Sequence, residues 1–354
     1  MLSPRQRVRL SKGVRSTLFY LLVITIAVII ILPVFFIVSL SFLTTHEAYS
    51  YPLPLLPSLT SKFSLTYGER GYLLSVYDRV NQEYETVLDT DDLDKMRVYM
   101  ENRLGTSVTV PELETQIAKL SSENPVDFSM NTDLLHNYKL FFQITEDAVP
   151  ALILSLQIAA LTIVISLSVG GLAGYAFARY MFFGKDMMKF SVLFVRMFPA
   201  VAIAIPMIII LADLGFYDQP LGLALVYSVG NIALTTWITA SIFMSIPESL
   251  EEAAQVFGAT RLQAFIKTTL PLALPGLAAA AMYAFIGAWN ETVSALILTQ
   301  FNPTFSVVVY QSLVGATGQV NLAAAGGIVM AIPAVLFTLI IRRYIKQMWG
   351  GVTV

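Results

Sequence analysis

The 354-residue sequence has no cysteine, two histidines and three tryptophans, and only 13% of its residues are charged. Without cysteine, no disulfide can brace any part of the chain and no thiol chemistry is available. His46 and His136 stand far apart with no matched ligand set around them, which argues against a metal site. No GxxxxGK[ST] loop occurs, so any ATP must be handled by another chain. No hydrolytic triad, zinc pattern or nucleic-acid surface is recognisable either. A soluble domain carries roughly 25% charged residues. The low charge here, with 56% hydrophobic residues, indicates a polytopic membrane protein.

Six apolar runs reach the roughly 20 residues needed to cross a hydrocarbon core. They lie near residues 18–42, 151–178, 190–211, 221–246, 275–298 and 322–341. The first is too long for a signal-peptide core and lacks a small-residue cleavage site, so it is read as a retained span. The third holds Arg196 and the fifth Glu291; the other four carry no charge.

Charge placement orients these spans. Arg5, Arg7, Arg9, Lys12 and Arg15 precede the first. Arg179, Lys185 and Lys189 follow the second, Arg261 and Lys267 lie in 247–271, and Arg342, Arg343 and Lys346 follow the sixth. The short loops 212–220 and 299–320 hold no basic residue. The positive-inside bias puts both termini, 1–17 and 342–354, and the segment 247–271 in the cytoplasm.

The long loop 43–149 should then lie outside. It carries 8 basic and 17 acidic residues, a net charge of −9. At about 105 residues it can form a small domain. Helices are expected near 92–103 and near 111–121, the second opened by a Thr109/Glu112 capping box, and 51–57 reads as proline-rich linker. The cluster Asp89, Asp91, Asp92 and Asp94 imitates a calcium loop, but Leu93 and Asp94 occupy the fifth and sixth positions, where an EF-hand needs an oxygen ligand and a glycine. Acidic residues opening a helix explain it more simply.

Residues 247–271 form a charged, polar break between two apolar segments. Ser245 and Glu248 have capping-box spacing, with Pro247 in the first turn. Leu250, Ala253, Ala254 and Phe257 then recur at helical spacing, with Glu248, Glu251, Glu252 and Gln255 opposite. Gly258 stands where a helix stops in a left-handed cap. Thr260 and Gln263 repeat the capping box, and Leu262, Phe265 and Ile266 line a second stripe up to Pro271. The expectation is two short amphipathic helices about a glycine elbow, built for docking. The alternative is an interfacial loop, against which the glutamate face argues because anionic lipid would repel it.

Glu252-Ala253-Ala254, Gly258 and Leu270-Pro271 together resemble the EAA loop of the membrane-spanning subunits of ATP-binding-cassette (ABC) importers. Thr268 stands where that family usually has an aliphatic residue. Tyr175-Ala176-Phe177-Ala178-Arg179 with Phe183-Gly184, Arg196-Met197-x-Pro199, Leu214-Gly215, Ser245-x-Pro247, Ala288-Trp289-Asn290-Glu291 and the terminal Gly350-Gly351 with Val-Thr-Val are similar to the carbohydrate-uptake (maltose-type) branch, in particular to the smaller of its two permeases. The likeness runs from about residue 137 to the end and includes the first span.

The resemblance implies an all-α, six-helix type I permease bundle, residues 18–42 and 150–354, with 43–149 as an extracytoplasmic insert between the first two helices. It implies a non-catalytic subunit of a sugar importer that pairs with a second homologous permease and receives its sugar from an external binding protein. Two ATPase subunits would bind ATP and Mg, so no cofactor belongs to this chain, and no nucleic acid is involved. Glu248, Glu251, Glu252, Ala253, Ala254, Phe257 and Gly258 would rest against an ATPase, with Glu252 and Gly258 carrying the coupling. Asn290, Glu291, Asn231 and Gln157 are candidate polar residues of a sugar path, since ionisable groups within membranes usually face a cavity; the alternative role is hydrogen bonding between helices, which is also the reading of Thr235 and Thr236. Gly170, Gly171 and Gly174 suit close helix packing, and Pro33, Pro199, Pro206 and Pro333 suit kinks. Rival readings are a permease for a polyol, glycerol phosphate or amino acid, a secondary transporter, or a sensor. A sensor lacks an output domain here, and a secondary transporter would show more spans and buried charge pairs.

Overall fold

A computed structural model describes residues 4–121, 124–145, 147–315 and 318–349. The terminal Gly350-Gly351 and Val-Thr-Val lie outside them. The chain divides into two compact units, Met1–Gln143 with Ala316–Ile328 and Ile144–Gly315 with Val329–Val354.

In the first unit, helix α1 (Pro4–Phe42) carries the basic N-terminal stretch straight into an apolar run, Arg15–Phe42, which is exposed along most of its length and buried only near its end, at Ser39 and Ser41. After α2 (Thr45–Tyr49) the chain does not stay helical. It forms β1 (Thr60–Tyr67), β2 (Tyr72–Asp78), β3 (Glu83–Thr90), α3 (Leu93–Leu104), α4 (Val110–Ile117), β4 (Val126–Asn131) and α5 (His136–Ile144). The strands make an antiparallel sheet in the order β3-β2-β1-β4. The all-α expectation is therefore corrected for this segment. Tyr, Thr, Val and Phe favour a pleated surface, and the antiparallel register puts Phe63 and Leu65 of β1 opposite Val76 and Leu74 of β2, all four buried. These four pack on Met96, Met100 and Leu104 of α3 and Leu113 of α4. Burying each such side chain stabilises by about 2 kcal/mol.

The two helices expected in this segment are present as α3 and α4. The Asp92 carboxylate accepts from the backbone N–H of Asp94 and Lys95 as the α3 N-cap, and Gly105 closes that helix with φ 63°. Thr109 and Glu112 form the capping box of α4. The acidic cluster thus opens a helix.

The second unit holds α6 (Ala148–Arg179), α7 (Lys185–Val195), α8 (Ala200–Asp213), α9 (Pro220–Ser245), α10 (Ser249–Val256), α11 (Arg261–Trp289), α12 (Val293–Leu298) and α13 (Phe305–Val314); α14 is Val320–Trp349. Among the described residues, five helices are long and apolar enough to span a membrane. The predicted third span is instead the bent pair α7 and α8, turned by 86° where Pro199 caps α8. Pro33, Pro206 and Pro333 lie inside continuous helices.

Close packing of α6 on α9 depends on glycine. A Cβ on Gly170 would come 3.0 Å from the Ile232 carbonyl oxygen, and one on Gly174 would collide with Thr239 and approach the Ala240 nitrogen to 2.8 Å. The Thr239 hydroxyl lies 2.7 Å from the Thr235 carbonyl of its own helix and also faces the Gly170 carbonyl across this contact (3.2 Å), while Thr236 bonds its own helix at Ile232. Gly171 has nothing within 4 Å of its Cβ position and takes no part. Trp289 stacks on Phe285 (5.5 Å) and donates its indole N–H to the Met330 carbonyl (2.9 Å), fixing α11 to α14.

Candidate functional site

The polar segment after α9 is fastened by one carboxylate. Glu251, 7% exposed, accepts from Arg179 Nε (2.7 Å), Tyr175 Oη (2.7 Å) and Thr269 Oγ1 (2.6 Å). The Arg179 guanidinium also donates to the Phe243 and Ile246 carbonyls (2.9 and 3.0 Å), the orphan acceptors at the end of α9. One ion pair thereby joins the ends of α6 and α9 to α10 and α11. Tyr175, Phe243 and Phe265 pack beside it, with centroids 4.5 to 6.1 Å apart. Burial pushes the Glu251 carboxyl up, but hydrogen bonds from Thr269, Arg179 and Tyr175 and the Arg179 charge outweigh it, so it titrates below the usual carboxylate value.

This arrangement corrects three expectations. First, Glu248, Glu251, Glu252 and Gln255 do not share one face, since Glu251 is buried and the other three are exposed. Glu251 points inward, while Leu250 and Phe257 are exposed. The buried Arg179 needs a countercharge, and leaving a charge unpaired costs far more than exposing a leucine. Second, no Ser245/Glu248 capping box forms, because the Ser245 hydroxyl bonds back to the Ile242 carbonyl (2.7 Å). Third, the second helix is not short. The Thr260/Gln263 box is present, but it opens α11, which runs through one π-turn, Phe265–Thr269, into the fifth apolar span. Thr269 belongs to that turn, so Glu251 grips α11 at its irregular point.

Gly258 takes φ 89°, and the Ala259 N–H returns to the Ala254 carbonyl (3.0 Å), the closing bond of a left-handed helix cap. The elbow is therefore as expected. Beside it project Val256, 84% exposed, and Phe257, 90% exposed. Glu248, Glu252 and Ala253 are exposed too, with Ala254 partly covered. The Glu252 carboxylate has no partner among the described residues.

The intramembrane polar residues fall into different places. Arg196, Asn231 and Glu291 line one cavity of about 340 Å³ together with Tyr227 and Gly287. Gly287 is needed there, since a Cβ would stand 2.7 Å from Asn231 Oδ1. The Asn231 amide bonds its own helix at Tyr227 (2.9 Å), and Glu291 Oε1 accepts the Ser294 N–H at the start of α12 (2.9 Å). Gln157 lines a separate cavity of about 420 Å³ with Phe301 and Asn302. Asn290 ends α11, exposed, and lines neither. Arg179 and Tyr175 are the residues that sequence reasoning passed over as functional. Their i, i+4 spacing facing an acidic pair was the available signal.

The family described as binding-protein-dependent transport system inner membrane component matches residues 166–349. The trehalose transport system permease protein of Mycobacterium tuberculosis is 38% identical over 201 residues, 55% of this chain and 73% of that protein. The trehalose/maltose transport system permease protein of Thermococcus litoralis is 31% identical over 194 residues, 54% of this chain and 70% of that protein. Among solved structures, a chain of a bacterial ABC transporter involved in the import of the acidic polysaccharide alginate shares the fold, with TM-score 0.59 at 18% identity over 97% of this chain and 99% of that one.

Proposed function

The chain belongs to the family of binding-protein-dependent transport system inner membrane components, and from that premise we propose that it is the permease subunit of an ATP-driven importer of maltose- or trehalose-like sugars. It catalyses no step itself. Two ATPase subunits bind ATP and Mg, a second homologous permease completes the pathway, and an extracytoplasmic binding protein delivers the sugar. The bent pair α7 and α8 counts as one span, giving six across the cell membrane. The basic residues of 1–17, 179–189, 261–267 and 342–346 favour cytoplasmic termini and a cytoplasmic α10, with 43–149 outside.

The observation that carries this reading is the apolar tip Val256–Phe257 beside Gly258, held out on a helix whose root is pinned by Glu251. A short stiff helix with a fixed root and a bare apolar end is suited to a partner's cleft. A partner that holds α10 differently in two states shifts the bundle between them. The pinned root passes that movement to α6, α9 and α11 together. Asn231, Glu291 and Arg196 supply polar groups to the sugar path through their shared cavity.

The test is ATPase activity of the reconstituted importer with loaded binding protein, comparing wild type with Gly258→Pro. The expected outcome is loss of stimulated activity and uptake. Full retention of both refutes the coupling role. The binding protein that copurifies with the importer, and the solute that raises its Tm, identify the cargo; a polyol, glycerol phosphate or amino acid there would replace the sugar.

A further inference from the structure

The first unit carries a cleft that neither the coupling segment nor the spans use. It has a volume of about 390 Å³ and is lined by Tyr49, Tyr51, Asn81, Glu83, Tyr84 and Glu85 around Asp78, within the range of small-ligand sites. Tyr51 is 89% exposed, and Tyr49 and Tyr84 are exposed as well. The rings of Tyr49 and Tyr84 are held rather than loose. The Tyr49 hydroxyl donates to the Gly318 carbonyl (3.1 Å), and Tyr84 packs edge-on against Tyr77 at 5.3 Å.

The polar floor is equally fixed. The Asp78 carboxylate accepts from the backbone N–H of Val80 (2.7 Å) and Asn81 (3.3 Å) and from the Asn81 side-chain amide (2.8 Å), which also donates to the Tyr51 carbonyl (3.3 Å). Burial pushes the Asp78 carboxyl up, but these bonds outweigh it and hold it below the ordinary value. A site ordered in advance pays less entropy when a ligand enters.

Charge narrows the ligand. Asp78, Glu83 and Glu85 are all acidic, and no lysine or arginine lines the cleft. Nearby Arg79 is engaged by Glu47 (2.7 Å) and the Leu56 carbonyl (2.9 Å). Glu85 lies 3.1 Å from His46, and the Glu83 carboxylate has no partner among the described residues. Ionised carboxylates only accept hydrogen bonds, and tyrosine faces offer apolar contact. An acidic ligand is repelled, and a wholly apolar one leaves the carboxylates unpaired.

We propose that this cleft binds an uncharged saccharide, whose C–H faces lie on the tyrosine rings and whose hydroxyls donate to Glu83 and Glu85. The proposal rests on the sugar-importer reading and on the insert facing outward, where it gives the importer a saccharide site apart from its spans.

The experiment titrates maltotriose, trehalose, a uronate trisaccharide and tri-lysine onto the full chain in lipid nanodiscs. Saturable binding of maltotriose or trehalose, weakened about tenfold in Tyr51→Ala and in Glu83→Gln, kept in Tyr84→Phe, and absent for the uronate, is expected. An unchanged Tm in Tyr51→Ala and Glu83→Gln excludes misfolding. Three results overturn it: no saccharide binding to the wild type, equal binding by the Tyr51→Ala and Glu83→Gln variants, or binding of tri-lysine in place of sugar. Uptake by the assembled importer is measured in parallel. Sugar uptake retained alongside any of those three removes the cleft and leaves the importer reading standing.

Discussion

Arg179 and Glu251 form a buried ion pair, Nε to Oε1 at 2.7 Å, with both side chains almost wholly covered. Removing one partner leaves an uncompensated charge, which costs about 3 kcal/mol or more. Glu251→Ala should therefore lower the Tm of the solubilised protein strongly, and Arg179→Ala similarly. Glu252→Ala removes an exposed, unpartnered carboxylate and should leave Tm unchanged. Because the two share one interaction, the double variant should lose less than the sum of the single losses. Equal losses for Glu251→Ala and Glu252→Ala would contradict the assignment of Glu251 as the anchor.

The same carboxylate sets an acid limit. Its folded value lies below the ordinary 4.5, so its contribution to stability is full above the unfolded value and disappears as pH falls through the folded one. Tm against pH should decline on the acid side of that range. In Glu251→Gln the curve should start lower and decline less. An identical acid limb in both proteins would remove Glu251 from the linkage.

How much of this was legible in the sequence follows from the range of each interaction. The capping boxes Thr109/Glu112 and Thr260/Gln263 are three-residue chemistry, and both are present. The apolar runs are legible because the bilayer demands length and composition. The sheet escaped notice because its strands carry Lys62, Glu83 and Glu85 among few buried residues, and only pairing across strands makes Phe63, Leu65, Leu74 and Val76 one face. Pro271 read as a terminator, yet α11 passes through it. The π-turn just before it is the irregular stretch at which a missing donor is tolerated. Which glutamate of α10 turns inward depends on Arg179, 72 residues away in sequence, and no local pattern reports it.

Packing of α6 on α9 yields a paired test. Gly174→Ala places a methyl against Thr239 and within 2.8 Å of backbone at Ala240, which cannot yield. Overpacking of this kind costs about 1–3 kcal/mol, read as a lower Tm and reduced yield of assembled importer. Gly171→Ala, with open space at the same position, should behave as wild type. Equal tolerance at both sites would mean that the helices lie further apart.

The exposed tip should separate stability from coupling. Phe257→Asp replaces a ring that is 90% exposed, so Tm of the isolated chain should stay within the small range of surface substitutions, about 0.5 kcal/mol. Association with the ATPase subunits should weaken, and ATPase stimulation by loaded binding protein should fall with it. Intact association would show that the tip meets lipid or solvent instead.

Two variants separate the hydrogen bond that Glu291 makes from its place in the cavity. Its Oε1 accepts the Ser294 N–H (2.9 Å), and an amide oxygen can do the same, so Glu291→Gln should keep the start of α12 and fold like the wild type. Glu291→Ala loses the acceptor and should cost about 1 kcal/mol. The charge is what Gln removes from the cavity shared with Arg196 and Asn231. If that charge meets the sugar, Glu291→Gln raises the KM for uptake while leaving Tm and assembly intact. Unaltered uptake in Glu291→Gln, with impaired folding in Glu291→Ala, would limit Glu291 to its structural part.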